Sequence, residues 1–219
     1  MQLVMVSVER NLKNVETGDF KFMNFFSKNE LKIVGSILFI ISFISFFNFR
    51  LSIRRARDNQ RKNDLTMLKF ALGEYNRYMG AYPLSSDNGK IIACKGNDTY
   101  FDEVLKTWVN LRACDWGKDN LVNISDSDIP IFISPIPIDP KNMEGISFTY
   151  LSDGARCQLL AYLEGVDEAE FDPIIQKRNI NCGNKICNFG IAPGNTPLDI
   201  SLEEYENQLL EKEILKIKK

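Results

Sequence analysis

The amino-acid sequence predicts an α+β protein in which a long N-terminal helix, membrane-spanning in its first half, packs on a small antiparallel β-sheet. Three observations carry this expectation. The run Ile33 to Phe49, IVGSILFIISFISFFNF, is apolar and uncharged. It passes without Pro into Leu51 to Met79, where Leu65, Leu68, Leu72, Tyr75 and Met79 recur at three- and four-residue steps, one apolar stripe of an amphipathic helix. Further on, two segments rich in β-branched and aromatic residues flank Asp153-Gly154, a strong hairpin signal.

Residues 1–25 read as a leader or cytoplasmic N-terminal segment, and residues 26–80 as the long helix, with its transmembrane part at 33–49. The seventeen apolar residues span ~26 Å as a helix, near the lower limit for a hydrocarbon core. Phe and Ile occupy every face of this run, which leaves no polar side to show water. Gly80 and Pro83 then punctuate the C-terminal end of a helix of about 50 residues.

Residues 81–197 form the globular domain of the expected fold. A polar loop, LSSDNGKIIACKGND, holds one short strand at Lys90 to Cys94. A short helix is expected next, from Phe101, Val104, Leu105, Trp108 and Leu111 at helical spacing, ending near Cys114. Ile131 to Ile133, Ile146 to Leu151 and Cys157 to Leu163 read as strands. Cys157 shares a face with Leu159, Ala161 and Leu163, which makes it a core thiol. Residues 198–219 read as a charged C-terminal helix opened by the capping box Ser201-x-x-Glu204.

Composition narrows the chemistry. The 219 residues carry 27 Lys and Arg against 29 Asp and Glu, a net charge of -2 that makes no case for nucleic acid as a partner. The absence of His removes Ser-His-Asp and Cys-His machinery and His-ligated metals. No nucleophile–base pair, phosphate loop or metal cluster can be assembled, so no enzymatic activity is expected. All five Cys follow the apolar run, which suits a domain exported to an oxidising compartment. Cys182 and Cys187 flank a tight loop that a disulfide closes with little strain, and Cys94 with Cys114 is the next pair. The C-x4-C spacing argues against zinc. Arg50, Arg54, Arg55, Arg57, Arg61 and Lys62 crowd the C-terminal flank of the apolar run, and the positive-inside rule read from them opposes the placement that the Cys suggest.

The stretch RRARDNQRKNDLTMLKFALGEYNRYMGAYP, followed by PIPIDP and FTYLSDGARCQLLAYLEG, resembles a bacterial type IV pilin or a type II secretion pseudopilin of the major type. The matching positions are Arg57, Asp58, Arg61, Asp64, Leu65, Leu68, Ala71, Leu72, Tyr75, Gly80, Tyr82 and Pro83, then Pro137, Asp139, Pro140 and Tyr150, over roughly residues 26 to 165. The resemblance implies a pilin-like fold, a structural subunit of a filament that polymerises through its N-terminal helix, and no enzyme. It implies a single-pass membrane protein with an extracytoplasmic C-terminal domain before assembly into a cell-surface or envelope filament. Its partners would be other copies or sister subunits, a prepilin peptidase, the assembly machinery and membrane lipid. In the family the region between helix and sheet differs most among subunits, which marks it for specificity.

The family's processing signal is a Gly, a cleaved bond, a Phe often N-methylated after the cut, and a Glu at the fifth mature position. Here Phe26 would be the first mature residue and Glu30 the fifth, but Phe25 stands where the Gly belongs. Translation from Met23 would leave a leader of three residues. Glu30 would pair with the N-terminal amine of a neighbouring subunit and so fix axial register; alternatively it is an interfacial residue between Lys28 and Lys32. Major pseudopilins carry calcium in the loop after the sheet. Calcium is thus the one cofactor weighed, with Asp126, Asp128, Asp139, Asp167 and Asp172 as oxygen donors, yet no D-x-D-x-D-G loop occurs and no ligand is assigned. The Arg cluster reads as contacting lipid headgroups, or as pairing between subunits with acids such as Asp58 and Asp64, in preference to DNA. A second function fits the missing Gly: a non-polymerising, membrane-anchored envelope protein whose pilin-like domain binds a ligand or partner.

Overall fold

A computed structural model describes residues 27–104, 107–123 and 131–217. It is α+β, with one long N-terminal helix and small antiparallel sheets. The chain divides into two compact units, Met1–Leu51 and Ser52–Lys219. Helix α1 (Lys28–Met79, 52 residues) supplies the described part of the first unit and opens the second.

In the first unit α1 starts at a reciprocal cap. The Glu30 amide donates to Ser27 Oγ at 3.3 Å and the Ser27 amide donates to Glu30 Oε2 at 2.6 Å, the two halves of a capping box. Leu31 through Leu51 are then exposed wherever the side chain is described, including Phe39 at 72%. The helix is long and apolar enough to cross a membrane.

In the second unit the buried stripe of α1 is Leu65, Leu68, Ala71, Leu72 and Tyr75, each at most 5% exposed. It packs in one core with Ile91, Leu121, Ile136, Phe148, Tyr150, Leu159 and Phe189. Gly80 closes the helix with φ 79°, a conformation that favours glycine. Tyr150 Oη then donates to the Pro83 carbonyl at 2.7 Å, tying the turn after the helix to the sheet behind it.

The sheet that faces this helix is β6 (Thr149–Ser152), β7 (Cys157–Ala161) and β10 (Phe189–Ile191), all antiparallel with β7 in the middle. The β6–β7 register pairs Ser152 with Cys157, so Asp153-Gly154-Ala155-Arg156 make the turn. Asp153 Oδ1 accepts from the amides of Ala155 and Arg156 at 2.9 and 2.7 Å, the Asx geometry that suits Asp at that place. Central position explains why every residue of β7 is buried. Cys157 is a buried free thiol, raised by burial to about 12.

A second three-stranded sheet is β1 (Leu84–Ser85), β2 (Ile91–Cys94) and β5 (Arg112–Ala113). The helix expected between Phe101 and Leu111 is not formed. Tyr100–Asp102 (β3) and Thr107–Val109 (β4) pair as an antiparallel hairpin with Phe101 opposite Trp108. Aromatic and β-branched residues here satisfy both periods, and the edge-to-face contact of Phe101 with Trp108, centroids 5.6 Å apart, rewards the extended one. Ile133 makes an isolated bridge to Leu121 instead of a strand.

Two further elements complete the unit. The hairpin β8 (Asn181–Cys182) and β9 (Lys185–Ile186) is followed by Cys187, which is bonded to Cys182, while Cys94 is bonded to Cys114. A five-residue helix α2 (Pro173–Lys177) is capped by Asp172. The C-terminal helix α3 (Leu202–Ile217) starts at Ser201, whose Oγ accepts from the Glu204 amide at 3.1 Å.

Candidate functional site

The residues that the sequence singles out fall in two places. Phe25 and Phe26 lie outside the described residues, as do Asp126 and Asp128. Glu30 is exposed and holds the first turn of α1 through the capping box. Beyond it, the apolar half of α1 makes local side-chain contacts: Ser36 Oγ donates to the Lys32 carbonyl at 2.9 Å, Phe39 stacks on Phe43, and the Arg50 guanidinium sits 4.7 Å from the Phe46 ring centre.

The basic residues that follow are spent inside the chain. Arg61 is fully buried. Its Nε and Nη2 donate to the two carboxylate oxygens of Asp139 at 2.8 and 3.0 Å, and its Nη1 donates to Asp58 Oδ1 at 2.8 Å and Glu164 Oε1 at 2.9 Å. This bidentate geometry suits guanidinium and no other cation. Asp58, also fully buried, accepts the amides of Glu164 and Gly165 at 2.9 and 3.0 Å, and Asp139 accepts the amide of Lys141 at 2.7 Å. Arg57 grips Glu164 with Nε and Nη2 at 2.7 and 2.6 Å. Every charge in the cluster thus has an opposite partner, and the aspartates also take backbone donors, the condition under which buried ions are tolerated.

Electrostatics follow the geometry. Burial opposes the charge on Arg61, but its hydrogen bonds to Asp139 and Glu164 outweigh burial and raise its pKa. Burial would raise Glu164, yet the guanidinium groups of Arg57 and Arg61 hold it down at about 2. Outside this centre, Arg54 Nη2 donates to both oxygens of Asp167 at 2.5 and 2.7 Å, and Lys62 Nζ reaches Glu168 and Glu170 at 3.0 Å each. The acidic segment 164–170 after β7 is therefore clamped onto α1.

This corrects the reading of the Arg cluster as a lipid-facing or inter-subunit surface for Arg54, Arg57, Arg61 and Lys62. Their acids come from the same chain, because the segment after β7 returns along the helix. It also accounts for three of the weighed calcium donors: Asp139 is taken by Arg61, Asp167 by Arg54, and Asp172 by the cap of α2, where it accepts from the Ile174 amide at 2.7 Å. Among the described residues no group of three metal-ligating side chains comes together.

A sequence signal for the buried cluster did exist. Asp58 and Arg61 lie in phase with Leu65, Leu68, Leu72 and Tyr75, at steps of three and four. Charges that continue a buried stripe mark an internal ion pair; what the spacing does not name is Asp139 or Glu164, which arrive from 78 and 103 residues away. Comparison with protein-family models, with curated proteins and with solved structures finds no match for this chain.

Proposed function

We propose that the chain is a structural subunit, a pilin or pseudopilin, of a type IV pilus or type II secretion-like filament, and that it polymerises through α1. The observation that carries this reading is the uncovered apolar half of the helix, none of whose apolar window is buried. Such a surface needs an apolar surrounding, which a bilayer supplies before assembly and the packed helices of neighbouring copies supply after it. The clamp and the buried stripe tie the sheets to the part of α1 that follows Leu51. The two disulfides support an extracytoplasmic unit. The partners of this reading are other subunits, a prepilin peptidase, the assembly machinery and lipid.

The test is the N-terminal sequence and mass of the protein from its native membranes, together with its presence in sheared filaments. A chain that begins at Phe26 and enters filaments supports the reading. A chain that begins at Met1 and stays in the membrane sinks it. Phe25 in the place of the processing Gly favours the second reading, an uncleaved anchor whose folded unit binds a partner. Glu30→Gln separates two roles of one residue: Gln keeps the capping pattern but not the charge, so lost incorporation at unchanged helix content would assign assembly to the carboxylate.

A further inference from the structure

The chain between β7 and α2 lies against α1, and its middle is held differently from its ends. At one end the amides of Glu164 and Gly165 donate to the buried Asp58 at 2.9 and 3.0 Å; at the other the Asp172 amide donates to the Asn188 carbonyl at 2.8 Å. Residues 166–171 have no such anchor. Their backbone hydrogen bonds are local, from the Glu168 amide to the Gly165 carbonyl and from the Phe171 amide to the Glu168 carbonyl, and none reaches another element among the described residues. None of them is buried, and Val166 is 76% exposed. What ties this stretch to α1 is charge: Asp167 meets Arg54 at 2.5 and 2.7 Å and Arg55 at 3.6 Å, while Glu168 and Glu170 each meet Lys62 at 3.0 Å. The closed arrangement also carries a cost. Arg54 Nε is buried with no hydrogen-bond partner among the described residues, a penalty that water would relieve if the stretch lifted. Room is short as well: a Cβ on Gly165 would lie 3.0 Å from Glu168 Cγ, 3.1 Å from Asp167 Oδ1 and 3.2 Å from Arg54 Cζ, so the contact closes over a residue without a side chain.

We infer that residues 166–171 are a strap that ionic strength opens and closes, masking Arg54, Arg55 and Lys62 when closed and presenting them to anionic groups outside the chain when open. Ion pairs open to water are weak and are screened by salt, since the Debye length falls from about 10 Å at ~0.1 M to about 3 Å at ~1 M. The pairs of Asp167 and Glu170 are of this kind, with side chains 48% and 47% exposed. Arg61 does not follow them, because it lies with Asp58 and Asp139 out of reach of water, where screening is much weaker. Salt therefore divides the clamp into an inner part that stays and an outer part that lets go. The anchors at Gly165 and Asp172 fix the hinges, so the strap lifts as a short loop and the sheet behind it keeps its place, an order–disorder change confined to one segment. The inference goes beyond the filament reading and holds for an anchored protein that never polymerises.

The test puts a nitroxide on Val166→Cys in the full chain, held in an uncharged detergent, and follows its spectrum as sodium chloride is added. Cys157 is buried and the other four Cys are paired, so the label reports one site. Its rotational rate is expected to rise at least about threefold between ~0.1 and ~1 M salt, while a nitroxide on Asn97→Cys, an exposed position on another loop, keeps its spectrum. Lys62→Met removes the cation shared by Glu168 and Glu170 and should give the fast spectrum at the lower salt already; Lys62→Arg, which keeps the charge, should restore the salt response. Asp167→Asn, a change at an exposed carboxylate that leaves the inner clamp alone, should lower the salt needed for release. A Val166 spectrum that ignores salt overturns the inference. So does an equal response at Asn97, which would mean general loosening, or an equal response to sucrose of the same osmolality, which would remove charge as the cause.

Discussion

From Leu31 to Leu51 helix α1 carries Leu31, Ile33, Ile37, Leu38, Phe39, Ile40, Ile41, Phe43 and Ile44, each more than a third exposed, whereas from Asp58 to Tyr75 the same helix buries two charged residues completely. Hydrophobicity therefore does not rank burial along this helix. What decides is whether the chain folds back. The first stretch is exposed and is suited to an apolar solvent; the second has the sheet β6–β7–β10 and the segment 164–170 laid against it. The lesson is that a charge can be the most buried group of a helix when its partners are delivered to it, while apolar side chains on the same helix stay exposed among the described residues.

The largest effect should come from breaking the delivery. Arg61→Ala leaves Asp58 and Asp139 buried without their cation and is expected to lower unfolding stability by about 3–5 kcal/mol, read by denaturant melts of the full chain in detergent. Phe39→Ala, at an uncovered position, should leave the same melt within ~0.5 kcal/mol; a loss equal to that of Arg61→Ala would collapse the distinction between the halves. Next, Cys94→Ser with Cys114→Ser opens a loop with a sequence separation of 20 and should cost about 3 kcal/mol, without changing the helix content of the apolar half of α1.

Acid should separate the halves more gently. Glu164 has a folded pKa held below its ordinary value of 4.5, at about 2. Its contribution is fully present above pH 4.5 and is lost as pH falls toward 2, because the unfolded chain takes up the proton first. With solvent screening allowed for, the loss is on the order of 1–2 kcal/mol, and Glu164→Gln should flatten that part of the pH profile. A profile that is unchanged in Glu164→Gln would remove Glu164 from the clamp. The smallest effect belongs to the start of α1: Ser27→Ala removes one half of the capping box and should cost about 1 kcal/mol of local helix stability, visible as faster amide exchange over the first turn with the unfolding midpoint of the second unit unmoved.

How much of the molecule could be read in advance depends on the range of the interaction. The apolar stripe Leu65, Leu68, Leu72 and Tyr75, the stop at Gly80, the Asp153-Gly154 turn and the cap at Ser201 are all set by residues within a few positions of one another, and each appears where its local pattern puts it. The segment Phe101 to Leu111 went astray because Phe101, Val104, Leu105 and Trp108 fit a helical period as well as an extended one, and only the Phe101–Trp108 contact across the hairpin separates them. The Arg cluster was legible as charge but not as pairing. Asp58 with Arg61 is local; Asp139 and Glu164 are not.

By itself, the sequence determined the long helix, its change from apolar on all sides to apolar on one stripe, and the strand-turn-strand of β6 and β7, since these follow from backbone propensity and hydrophobic period. The tertiary structure alone decided which acid each cation meets, that five of the six basic residues after the apolar stretch pair with acids of the same chain, and that α3 is exposed from Leu210 onward. Those outcomes rest on contacts between residues far apart in the chain, and only the closed fold brings such residues within the 3 Å or so at which a hydrogen bond chooses its partner.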